Sequence, residues 1–195
     1  MISARSLRCW QHLRLMLSAV VLLGLTTPAL AQKGSIKVEE VDTRLVSGIL
    51  VMNAALETNF GTEALEALEN GVPLTILLHV QVRRAGAWLW EDSLLDLQLR
   101  YAIRYKPLSE RYEVYRLPSS EGRSFVSRDA AIRALGEIKH LNLLSASSLD
   151  PDTDYELQLR ASLDIEALPL PLRPIAYLKP SWKLTSGWTK WPLRP

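Results

Sequence analysis

The sequence predicts a mainly β fold, an antiparallel β-sandwich carrying two short helices. Three features of its 195 residues predict it. Apolar and polar residues alternate with a period of two over long stretches, as they do in strands with one buried and one wet face, the pattern of antiparallel sheets. Only two segments switch to a helical period. No long linker, internal repeat or low-complexity tract divides the chain, so these elements belong to one domain.

In chain order, strands are expected over residues 36–45 and 48–57. The helical segment "GTEALEALENG" follows, with Leu65 and Leu68 on one side, acids on the other, and Gly71 placed to terminate it. "TILLHVQVRR" sets Leu74, Ile76, Leu78, Val80 and Val82 against Thr75, His79, Gln81 and Arg83. "LLDLQLRYAIRYK" sets Leu95, Leu97, Leu99, Tyr101, Ile103 and Tyr105 against Asp96, Gln98, Arg100, Arg104 and Lys106. A weaker strand is expected over 112–117. "SRDAAIRALGEIKH" is the second helix, with Ser127 as N-cap, Asp129 in the first turn, and Ala131, Leu135 and Ile138 on one face. "YELQLRASLDIE" returns to alternation from Tyr155 to Ile165, and a last strand is expected over 182–190.

The N-terminus carries an address. Arg5, Arg8 and Arg14 precede an apolar run from Leu15 to Leu25, and the segment ends in Ala29-Leu30-Ala31. A basic region, a short apolar core and an A-x-A end make a secretory signal peptide. The run is too short for a spanning helix, which needs about 20 residues; an uncleaved anchor is the competing reading. Residues 1–31 are thus expected to be the signal and 32–195 the mature domain, located in the periplasm. The single cysteine, Cys9, leaves with the signal, so the mature chain has no disulfide, thiol nucleophile or thiolate metal site. Removal of three arginines takes the formal charge from +2 to −1. No net positive field then favours nucleic acid or an anionic membrane surface.

"LDPDTDYELQL" is the most specific local motif. Its spacing resembles the corner leading into the penultimate strand of fibronectin type III domains, where a tyrosine starts the strand and its hydroxyl bonds to backbone upstream. An ordinary Pro-Asp turn is the simpler alternative, and either makes Tyr155 a strand start. The sandwich expected is therefore immunoglobulin- or fibronectin III-like.

Chemistry is mostly excluded. His79 on a polar strand face and His140 near the end of the second helix lack the companions of a zinc site. "DPDTDYELQLRA" has tyrosine and alanine where a calcium loop needs glycine and glutamate. No nucleophile elbow, phosphate loop or dinucleotide fingerprint occurs. Glu91, Asp92 and Asp164–Glu166 are the acids a hydrolase could use, and wet strand faces carry such acids without catalysis. No enzyme and no cofactor is expected. The aromatics are the remaining candidates for binding: Trp88 and Trp90 share one face, Trp182 and Trp188 another, and Trp191 lies beyond them. They are either a binding row or core. The reading for the tail puts Trp182 and Trp188 inward, with Trp191 partly covering one end, and makes Pro169, Pro171 and Pro174 stiffen an extended crossing outside the sheet.

Several stretches taken together carry a family likeness: "ALENGVPL", "WLWED", "LRYAIRYKPLSERYEVYR", "SF" before a helix, "LDIEALPLPLRP" and "WKLTSGWTKWPL". The chain resembles, over nearly its whole mature length, the proteobacterial exported proteins of domain-of-unknown-function family 4390. The resemblance implies a periplasmic address and a signalling partner beside a sensor kinase. It transfers no activity, cofactor or catalytic residue. The expected function is a non-catalytic periplasmic interaction module, an accessory to an envelope or sensor-kinase system, whose partner is an envelope or membrane protein with a periplasmic domain. The alternative is a carrier of a small apolar or glycan ligand in a tryptophan-lined cleft, and a hydrolytic enzyme comes third.

Overall fold

Period-two burial organises the structure, a computed structural model that describes residues 34–88 and 93–193. The expected signal peptide lies outside the described residues. Nine strands form two antiparallel sheets. The small sheet has the order β1 (Ser35–Val46), β2 (Ile49–Asn59), β7 (Glu137–Ser145). The large one runs β6 (Gly122–Phe125), β5 (Arg111–Arg116), β4 (Leu95–Lys106), β3 (Leu74–Arg84), β8 (Tyr155–Leu163), β9 (Thr189–Leu193). Inward side chains of both meet in one apolar core, with Leu50, Met52 and Leu56 from the small sheet and Leu74, Ile76, Leu78, Leu157 and Leu159 from the large. This is a β-sandwich.

Among the described residues three α-helices accompany the sheets: α1 (Thr62–Glu69), α2 (Arg128–Gly136) and α3 (Arg173–Leu178). Helix α1 buries Ala64 and Leu68. It ends as its glycine demands: Gly71 has φ +83, its N–H donates to Leu68 O, and the Val72 N–H donates to Ala67 O. That pair of bonds is a Schellman closure, which satisfies carbonyls the helix leaves open. Helix α2 starts after Ser127, with no side-chain cap bond. It packs against β2 of one sheet and β4, β5 and β6 of the other.

The second helix is shorter than its sequence pattern. It stops at Gly136, and residues 137–145 pair with β2 as β7. His140 is therefore mid-strand rather than at a helix end. It sits at φ +54 where the β2–β7 register shifts, and its N–H donates to Asn53 Oδ1 at 3.0 Å. A bulge inserts a residue and resets the inward phase, so the buried positions read Ile138, Leu141, Leu143. That spacing mimics a helix continuing from Leu135, which hides the strand. The short edge strand β6, exposed at three of four positions, carries no periodic signal either.

The tail departs from the expected extended crossing. Residues 165–167 and 180–182 form 3-10 turns, and α3 lies between them. Pro174 falls in the first turn of α3, where its missing N–H costs nothing. The crossing does lie outside the sheets, but it is turned rather than extended: the Leu172 N–H donates to Pro169 O, and Pro180 opens the second 3-10 turn. Trp182 ends the last 3-10 turn, Thr185 makes a single bridge to Ser162, and β9 begins only at Thr189.

The corner at Tyr155 is present. Tyr155 opens β8, is 5% exposed, and its hydroxyl accepts the Asp150 N–H at 3.1 Å.

Candidate functional site

The five tryptophans named from the sequence do not line one cleft. Trp90, with Glu91 and Asp92, lies outside the described residues. Trp182 is buried in the core at 4% exposure and Trp191 is half-buried in β9 opposite Leu157. Trp188, expected to face inward, is 40% exposed, because Gly187 (φ +69) turns the chain before β9 starts. Trp88 is exposed in the β3–β4 connection, where Arg83 donates to its carbonyl at 2.7 Å. Core and surface thus divide the aromatics between them.

Trp182 is held by α1. The Glu63 carboxylate in the first turn accepts from Lys179 at 2.5 Å and from Ser181. The Lys179 and Ser181 bonds, then the Lys179 charge and Trp182, outweigh burial and hold Glu63 below its ordinary pKa. This cluster ties the tail to the rest of the domain.

Trp188 reaches the outer face of the large sheet. Its ring lies 4.8 Å from the His79 ring. His79 Nε2 donates to Asp96 Oδ1 at 2.7 Å, and Gln81 donates to Asp96 Oδ2 at 2.6 Å. Burial pushes the Asp96 carboxyl up, but its hydrogen bonds with Gln81 and His79 win and set it below its ordinary value. Cross-strand register extends this patch into two polar rows, Asp96–Gln81–Gln158–Lys190 and Gln98–His79–Arg160. The patch is a planar surface of amides, ions and one indole. It has no nucleophile poised beside His79 among its hydrogen-bonded neighbours.

The other acids weighed for hydrolysis are structural where they are described. Asp164 is 9% exposed, accepts Arg100 Nε at 2.8 Å and caps the following turn through the Glu166 N–H. Glu166 is engaged by Arg173 and Tyr177. Among the described residues no group of three or more His, Cys, Asp or Glu could hold a metal ion, and no helix is long and apolar enough to cross a membrane.

A concave site that no sequence motif marks lies between β2 and α2. The β1–β2 ladder runs to Ser35↔Asn59, whereas the β2–β7 ladder stops at Ala55↔Glu137. Among the described residues, 56–59 of β2 therefore have a strand on one side only. On the other side stands the C-terminal end of α2. A side-chain carbon on Gly136 would sit 2.1 Å from the Leu56 carbonyl oxygen, so glycine is what allows the helix this close. Beyond that contact a groove of about 580 Å³ opens, with Thr58, Phe60, Leu65 and Ile132 in its wall, Arg128, Asp129 and Arg133 on its helical rim, and Glu39, Glu57 and Glu137 on its strand side. Arg128 is paired with Glu69 at 2.6 Å, while Arg133 has no acidic partner among the described residues. A second groove of about 420 Å³ crosses the outer face of the small sheet beside His140, and a third of about 520 Å³ lies by Trp191.

Thr58, Ile132, Arg133 and Gly136 are the residues that sequence reasoning missed. The available signal was a polar residue at an inward strand position, Thr58 continuing the series Leu50, Met52, Ala54, Leu56. Nothing local shows that no strand covers it.

The family model described as domain of unknown function (DUF4390) matches residues 33–192. No curated protein and no solved structure matches the chain.

Proposed function

The chain belongs to the DUF4390 family, and from that membership and the geometry of the β2–α2 groove we propose that it is a non-catalytic interaction module of the periplasm. The observation that carries this reading is the unfinished small sheet: β2 is paired on one side only over residues 56–59, beside a groove. An open strand edge next to a helix is a standard place for one polypeptide to receive another. The engagement of Asp164 and Glu166 in structural contacts supports a binding role over hydrolysis. The partner is an envelope or membrane protein with a periplasmic domain, consistent with an accessory role in an envelope or sensor-kinase system. A formal charge of −1 after signal removal argues against nucleic acid and against anionic lipid as partners.

Two measurements test this. Protein recovered from the envelope fraction should begin at Gln32; an intact, membrane-held Met1 form defeats the periplasmic address. A photoreactive residue at position 133, on the groove rim, should crosslink in cells to an envelope protein. One at position 190, in β9 on the edge of the large sheet, should not. Identical background products from both positions count against an interaction module that binds through this groove.

One observation favours a second reading. Trp188 and Trp88 are exposed, and Trp188 borders the amide-rich patch around His79. Indole faces beside planar polar groups suit a glycan ligand. Native mass spectrometry of freshly purified protein should then show retained sugar or lipid that Trp188→Ala abolishes. A bare mass rejects it.

A further inference from the structure

The β2–α2 groove carries a more specific statement, which rests on the interaction-module reading. Three independent features of its wall require something from an occupant. The first is backbone. Peptide groups alternate from side to side along a strand. The Leu56 carbonyl points at α2, so the Thr58 N–H and C=O point the same way, toward the groove that β7 does not reach. The second is the Thr58 side chain: it is 7% exposed, it lines the groove, and its hydroxyl has no hydrogen-bond partner among the described residues. A buried hydroxyl left unsatisfied is costly, so its persistence marks a position completed by a ligand group. The third is the apolar floor of Phe60, Leu65 and Ile132.

We infer that the groove receives an extended segment of a partner polypeptide, which adds as a strand beside residues 57–59 of β2. One apolar side chain of the segment sits on Phe60, Leu65 and Ile132, and its backbone pairs with Thr58. The open stretch has room for about three residues, roughly 10 Å of strand. Side chains two apart in the segment share a face, so only alternate positions are read. Charge sets a further preference. Of the acids around the groove, Glu57 pairs with Lys37, Asp129 with Arg128 and Glu137 with Lys139, whereas Arg133 lacks an acidic partner among the described residues, so an acidic residue flanking the apolar anchor at the helical rim supplies one. A helical occupant keeps its own backbone groups and leaves Thr58 unpaired, and a small apolar ligand offers no ladder at all.

The test uses purified protein and a phage-displayed random heptapeptide library as the probe. Selected peptides should converge on one apolar residue with a neighbouring acid. In fluorescence polarisation with the best synthetic peptide, Thr58→Val should weaken binding about three- to tenfold, the range for one hydrogen bond. Ile132→Glu should abolish it. Arg133→Glu, an exposed change that leaves the groove floor intact, should weaken the acid-bearing peptide at least several-fold and spare its amide analogue. N-methylation of the peptide backbone should be damaging at alternate residues only, and the bound peptide should slow hydrogen exchange at the Thr58 N–H. The inference is overturned if no sequence is enriched, or if N-methylation shows no period of two. It is equally overturned if the enriched peptides bind Ile132→Glu and Thr58→Val like the native protein. Should the crosslinks from position 133 in cells persist in those two variants, the module reading survives and the strand-addition reading falls. If the protein is instead a dimer that Ile132→Glu makes monomeric, the groove's occupant is a second copy and the proposal of a foreign segment fails.

Discussion

Replacing Trp182 by alanine tests how the tail is held. The indole is 4% exposed, so it removes nearly all of its roughly 200 Å² from water on folding. At about 25 cal/mol per Å² that burial is worth at most about 5 kcal/mol. Truncations of buried aromatics to alanine cost about 3 to 5 kcal/mol once the cavity is included. Trp182 directly follows Ser181, which donates to Glu63, so the change also loosens the α1–tail cluster. Trp188 is the internal control: at 40% exposure its burial is worth at most about 3 kcal/mol, and partial collapse onto His79 brings the expected cost of Trp188→Ala to about 1 to 2 kcal/mol. Urea unfolding followed by far-ultraviolet circular dichroism reads both without relying on indole fluorescence. The expected result is a midpoint lowered at least twice as far by Trp182→Ala as by Trp188→Ala, with the slope unchanged in both. Equal shifts, or a larger one at Trp188, refute the division of these residues into core and surface. A domain stable by about 5 to 15 kcal/mol is left marginal by the larger loss.

Three further outcomes are expected. Glu63 has its folded pKa lowered from 4.5, so its contribution is fully present well above that value and is lost as pH falls through the lowered folded value; the stability advantage of wild type over Glu63→Gln should hold at neutral pH and shrink as the pH is taken below 4.5, measured by urea midpoints. Gly136→Ala forces α2 from the Leu56 carbonyl and should cost about 1 to 3 kcal/mol by thermal melting, with loss of groove binding beyond that explained by unfolding. Tyr155→Phe removes the acceptor for the Asp150 N–H and should cost about 0.5 to 1.5 kcal/mol, with faster hydrogen exchange at Asp150 as its local signature.

Much of the fold was legible because its signals are local. The alternation from Leu74 to Val82 and from Tyr155 to Leu163 matches burial at every inward apolar position, since neighbours two apart necessarily share a sheet face, while Thr75 and Gln158 on the polar face are buried as well. Gly71 ends α1 because its own φ is positive, a property of one residue. Tyr155 reaches a backbone N–H only five positions upstream, so its corner is written within a single turn.

The candidate site was not legible, because it consists of an absence between distant segments. Thr58 reads as an ordinary inward strand residue until the path of the chain shows that β7 leaves β2 after Ala55 and that α2 approaches at Gly136. The bulge at His140 disguised β7 as helix by shifting the phase of its apolar positions. The tryptophans followed the same rule. Residue type makes each of them apolar and large, but only the tertiary path decides that Trp182 meets α1 and the core while Trp188, past the Gly187 turn, meets His79 and water. The sequence by itself determined which faces of the strands and of α1 are apolar, because that depends on spacing along one strand or helix. The tertiary structure decided which of those faces are covered and by what, because covering a face depends on residues far away in the chain.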